Sequence, residues 1–215
     1  MNRTEFINNF WSRYMMMERD FIHLSEYVKI DERNFDTFSN EIIKQILLVN
    51  VEFENLLNQM AQEENAQSGT IGNYKTMIFD TLHWDSIMDQ QVKVLNTNII
   101  LEPFQEWSQS GRGVFWWSAY RELKHDMIAN YSKGNFRTLL YSLAALYILE
   151  LYVIKYIGDK TDDMDVPNDI SKLFRICNWE TQDHVFAFEA YGIRESEIDD
   201  MFNDVEQSLV SHEIL

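Results

Sequence analysis

The sequence predicts an all-α fold, a bundle of four or five main helices, and three observations carry that expectation. Apolar residues recur at spacings of three and four through several long stretches, which is the period of one helix face. Only 2 prolines and 7 glycines interrupt 215 residues, so few positions force the backbone to turn. Hydrophobic residues make up 46% and aromatic residues 14% of the chain, which is too much apolar surface to leave in water; the chain buries a core.

The elements follow in order. Phe6, Phe10, Tyr14, Met17, Phe21, Leu24 and Val28 define a first helix between Phe6 and Ile30, with Met15 and Met16 widening its apolar stripe. The stretch from Asp31 to Asn40 carries turn and cap residues, and Thr37 or Ser39 can accept from the free amides at a helix start. A second helix runs to about Gln62 on Ile42, Ile43, Ile46, Leu47, Val49, Phe53, Leu56, Leu57 and Met60. Joined by that short loop, the two form a long N-terminal antiparallel hairpin. Ala66 to Asn73 is loop, and a short helix fits between Tyr74 and Trp84.

Residues 91–101 break the helical period. Val92 and Val94 alternate with polar neighbours, Asn96-Thr97-Asn98 can turn, and Ile99 and Leu101 follow, which suggests a small β-hairpin. Ser108 to Gly113 is loop. A helix is expected from Val114 to about Tyr131, and Asn135 caps the next, Phe136 to Ile157, which is apolar nearly all round. Its uncharged run, Thr138 to Leu149, is shorter than the about 20 residues that spanning a bilayer needs. It reads as the central, buried helix.

Past Gly158 the composition changes. Residues 159–215 hold 15 Asp or Glu against 4 Lys or Arg, a net −11 of the chain's −17. The expected organisation is a bundle core over 1–158 and an acidic C-terminal helical extension, 159–215, packed on the same domain. Within it Ile170 to Cys177 and Glu195 to Ser211 read as short helices.

The net charge of −17 opposes nucleic-acid backbones and anionic membranes. The single cysteine, Cys177, precludes an internal disulfide and reads as a small buried residue in a reducing compartment. With no apolar signal segment at Met1 to Glu5, the expectation is a cytoplasmic protein that binds no membrane.

One segment stands out chemically, Phe115-Trp116-Trp117-Ser118-Ala119-Tyr120-Arg121-Glu122-Leu123-Lys124-His125-Asp126. Between Arg112 and Arg137 there are five basic residues, Arg112, Arg121, Lys124, Lys133 and Arg137, against Glu122 and Asp126, a local +3 in an acidic chain. Arg121 and His125 lie four apart on one helix face, with Tyr120 and Lys124 as a second such pair beside them. Histidine among cations suits phosphodiester chemistry, since imidazole exchanges protons near neutrality and cations stabilise developing phosphate charge. The plainer reading places Trp116, Trp117 and Tyr120 in the core, with Arg121, Lys124 and His125 at its polar edge.

An aromatic pair, then Tyr120-x-x-x-Lys124-His125, then a capped apolar helix with Leu143-Ala144-Ala145-Leu146, resembles the second half of HEPN-type helical domains of bacterial toxin and defence proteins, over Phe115 to Ile154. Ribonuclease members of that family carry an Arg-x4-6-His pattern and work as homodimers whose paired motifs form the cleft. Matched at His125, Tyr120 takes the arginine's place and Arg121 the polar position after it. The resemblance therefore implies a homodimeric ribonuclease needing no metal, or an RNA- or nucleotide-associated component of phage defence. Arg121 and His125 would be its catalytic residues, with Lys124 and Tyr120 in support.

Two rivals stand beside it. The acidic C-terminal region could bind a basic protein partner without catalysis. A di-metal bundle is suggested by Glu122-x-x-His125, for which Asp80-x-x-His83 and Asp20-x-x-His23 are the nearest second halves. No bound metal or cofactor is expected: there is no Gly-rich phosphate loop, Cys-x-x-Cys pair or Gly-x-Ser-x-Gly elbow. His184 and His212 read as solvated.

Overall fold

The computed structural model describes residues 1–108, 113–161, 167 and 170–177. It is a mostly α bundle with a small antiparallel sheet. The N-terminal rod starts as α1 (Arg3–Phe6), where Asn2 and Glu5 form a reciprocal capping box, passes through a π-helical turn at Ile7–Trp11, and continues as α2 (Ser12–Ser25). It ends five residues before Ile30: the amides of Tyr27 and Val28 both return to the Leu24 carbonyl at 3.0 Å, closing the last turn. Val28 and Ile30 still pack, half-buried, on the core.

Ser39 caps α3 (Asn40–Glu63) through the Ile42 amide at 3.2 Å. The rod and α3 are antiparallel, as the contact pairs Met1 with Glu63, Arg13 with Glu52 and the Asp20 carbonyl with Gln45 show. Thr70 then caps α4 (Ile71–Thr76), which winds into a π turn at Met77–Thr81.

The expected hairpin forms β1 (Val92–Val94) and β2 (Ile100–Leu101), with Val92 opposite Leu101. A third strand, β3 (Phe174–Ile176), pairs antiparallel with the other edge of β1, so the order is β2-β1-β3. This corrects the helix expected from Ile170 to Cys177. The reason is an anchor: buried Glu18 on α2 accepts from the Tyr14 hydroxyl, the Ser171 hydroxyl and the Lys172 amide, the last at 2.8 Å, and holds the segment extended. Cys177, expected to be buried, is exposed: it stands just past β3, where its amide bonds the Gln91 carbonyl at 2.7 Å and its side chain is outside the core.

The helix expected from Val114 to Tyr131 is two, α5 (Phe115–His125) and α6 (Met127–Asn130), followed by a 3-10 turn at Tyr131–Lys133. Asp126 makes the break by leaving helical geometry (φ −148°, ψ 87°) and capping the Ala129 amide at 3.1 Å.

Asn135 caps α7 (Phe136–Lys160) through the Thr138 amide at 3.0 Å. α7 is the bundle's axis, packed on α3 along its length and also against the rod and α5. By length and composition it could cross a membrane, yet 83% of its most apolar window is buried inside the bundle. The expected helix from Glu195 to Ser211, and His184 and His212, lie outside the described residues.

Candidate functional site

The aromatic pair bolts α5 onto the bundle and thereby decides which face of α5 meets water. Phe115 opens the helix by donating its amide to Glu106 at 2.7 Å, a carboxylate at the positive helix end. Trp116 is fully buried, gives its indole N–H to the Pro103 carbonyl at 2.8 Å, and meets Phe53 edge-on at 5.1 Å. Trp117 packs against both, 5.6 Å from Phe53 and edge-on to Trp116 at 5.9 Å.

Tyr120 points inward. It is 1% exposed, and its hydroxyl donates to Glu54 of α3 at 2.8 Å. Burial, followed by the Glu54 carboxylate, pushes the phenol well above its ordinary range. Lys124 joins the pair, with Nζ 3.3 Å from the Tyr120 hydroxyl and 3.5 Å from Glu54. These two residues therefore serve the α3–α5 contact.

Arg121 and His125 face out. Both are exposed, one helical turn apart, and neither makes a hydrogen bond or ion pair among the described residues. The carboxylates nearest in sequence are occupied elsewhere: Glu122 pairs with Lys133 at 2.5 Å, and Asp126 caps α6. Arg137 lies over the rings of Phe115 and Tyr141, 4.6 and 5.5 Å from their centroids. Arg112 lies outside the described residues. Among the described basic residues of this segment, Arg121 is the one with neither an ion pair nor a ring beneath it, and it stands beside the exposed imidazole of His125. Next to them Met127 and Ile128 expose apolar surface, Ile128 to 92%.

No three His, Cys, Asp or Glu side chains among the described residues converge as a metal ligand set. Glu122 is drawn to Lys133, and the imidazole of exposed His23 lies 3.4 Å from Glu26. The di-iron-like spacings are therefore not assembled into a site.

Sequence reading did not single out a larger concavity. The turn Leu82 to Gln90 stands against the last turns of α7 and encloses a cleft of about 660 Å³. Its residues are separated by more than sixty positions in the chain, and Trp84 was the only local signal.

No family model, no curated protein and no solved structure matches the chain.

Proposed function

We propose that the chain is a HEPN-like helical protein that acts on RNA phosphate through the Arg121/His125 edge of α5, as a homodimer. The observation that carries this reading is the division of labour on α5: Tyr120 and Lys124 are spent on Glu54, while Arg121 and His125 share an outer face without a partner among the described residues. A guanidinium binds phosphate through a planar fork of N–H donors, and an imidazole one turn away can exchange a proton with a ribose hydroxyl. The 2′-hydroxyl would attack phosphorus, its proton passing to imidazole, while the bond from phosphorus to the 5′-oxygen breaks and that oxygen takes a proton from the imidazolium or from water, leaving a 2′,3′-cyclic phosphate and a free 5′-hydroxyl. The family's arginine position is thereby shifted by one residue, because the side chain at 120 is committed to the core.

Exposed Met127 and Ile128 adjoin the pair and give a second copy apolar surface to cover. Covering it brings two positive edges together, which strengthens attraction for phosphate against the chain's acidic background. Cytoplasmic phage defence is the setting that the resemblance suggests.

The test is RNA cleavage by the purified full chain in the presence of a chelator. The expected result is cleavage that His125→Ala abolishes, that Arg121→Ala weakens by about tenfold to a hundredfold, and that leaves the helical circular dichroism signal unchanged in both variants. Equal cleavage by His125→Ala and the parent would remove the proposal.

A further inference from the structure

We infer that the cleft between the Leu82–Gln90 turn and the end of α7 is a binding site for a small organic cation carrying a primary ammonium group. The site is built and not an incidental gap. Ile87, fully buried, anchors the 3-10 turn Asp85–Asp89, and the backbone at His83 takes a left-handed conformation (φ 55°) that aims the turn across α7. Trp84 lies against Tyr152 and Tyr156, with ring centroids at 5.3 and 5.9 Å, so three aromatic rings line one cavity. Beneath them the Ser86 and Tyr152 hydroxyls share a 2.8 Å hydrogen bond, and the Gln90 amide donates to Tyr152 at 3.0 Å and to the Ser86 carbonyl at 3.2 Å.

The groups left over select the ligand. Gln90 is 5% exposed and its buried Oε1 has no hydrogen-bond partner among the described residues, an unmet acceptor in the wall of the cleft. Asp89 on the rim has no ion-pair or hydrogen-bond partner among the described residues. The cation in the lining, Lys155, is engaged by both oxygens of Asp159, at 3.2 and 3.0 Å. What remains is a carboxylate without a partner among the described residues beside the Trp84 ring; Tyr156 already carries the Lys160 ammonium, 4.1 Å from its ring centroid and itself held by Glu64 at 2.7 Å, so these rings show in place the attraction for a cation bearing N–H groups. An anionic ligand would meet Asp89 and find its counter-charge already taken. The volume lies within the usual range for small-molecule sites, about 300–1,000 Å³. This inference is independent of RNA cleavage at α5, and either can fail alone.

Calorimetric titration of the full chain with tyramine, agmatine and spermidine tests it, with 4-ethylphenol as the neutral counterpart of tyramine and adenosine diphosphate as the anion. Saturable binding of at least one amine is expected, with 4-ethylphenol weaker by about tenfold or more. Asp89→Asn, on an exposed turn, should weaken the amine by about tenfold, and Trp84→Ala should remove both binding and ligand-induced quenching of indole fluorescence. Lys155→Met discriminates the sign of the site: amine affinity holds or rises because Asp159 is released, whereas an anion site would lose affinity. No saturable binding of the three amines, unchanged affinity in Asp89→Asn, or preference for adenosine diphosphate would each overturn the inference.

Discussion

The Tyr120 hydroxyl donates to Glu54 across 2.8 Å, tying α5 to α3 directly behind the face that carries Arg121 and His125. Because Tyr120 is almost wholly buried and Glu54 is half-shielded, this bond orients the helix more firmly than an exposed contact would. Its removal by Tyr120→Phe should lower the unfolding free energy by about 1 kcal/mol, read as a shift in urea midpoint at constant slope. His125→Ala, changing an exposed side chain, should stay within about 0.5 kcal/mol of the parent. A stability loss in His125→Ala as large as that in Tyr120→Phe would mean that the imidazole is structural.

Glu150 sits at the middle of α7, fully buried, with neither carboxylate oxygen hydrogen-bonded among the described residues. Burial is the main cause that drives its carboxyl well above the ordinary range; the charge of Glu52 adds to the shift and Arg13 opposes it. The fold therefore favours the neutral acid. Its contribution is fully present below the usual carboxylate range and is lost as pH rises toward the elevated folded value, because the unfolded chain ionises first. Glu150→Gln should match the parent in acid and exceed it by about 1–3 kcal/mol near neutrality. Urea unfolding across pH checks this, and parallel curves for the two proteins would show that Glu150 is ionised in the fold.

Glu18 is the fastener of β3. It accepts from Tyr14, Ser171 and the Lys172 amide inside the core. Glu18→Ala leaves those donors unmet and should destabilise the protein by about 2–4 kcal/mol. Hydrogen exchange should quicken at the Leu173 and Phe174 amides, whose acceptor is the Ser171 hydroxyl. Unchanged protection there would show that pairing with β1 alone holds the strand.

Gly134 precedes the cap of α7, and a Cβ at this position would stand 2.3 Å from Cγ1 of buried Ile43. Gly134→Ala should therefore cost about 1–3 kcal/mol by overpacking, measured by thermal unfolding. Combining it with Ile43→Ala, which removes both Cγ1 and Cδ1, should cost less than the sum of the two single changes, and strict additivity would argue against the clash.

The candidate pair illustrates which parts of the site are local. That Arg121 and His125 share a face follows from helical spacing, and that α5 is amphipathic follows from Trp116, Trp117, Tyr120 and Leu123. That Tyr120 and Lys124 would be drawn off to Glu54, sixty-six residues from Tyr120, does not. The ammonium-binding cleft had still less local trace, since Ser86 and Gln90 acquire their meaning only against Tyr152.

The sequence by itself determined the long helices of the rod, α3 and α7, the cap at Asn135, the β1–β2 hairpin and the burial of α7, and it narrowed the cap of α3 to Thr37 or Ser39. Each depends on the period of neighbouring side chains or on hydrogen bonds reaching only a few residues. Tertiary structure alone decided that Phe174-Arg175-Ile176 would be a strand, that Cys177 would face water, and that Glu150 would be sealed in the core without a hydrogen-bond partner among the described residues. A strand of three residues has no period to display, and its state depends on an edge of β1 some eighty residues away. Burial of a polar group likewise depends on which distant side chains close over it.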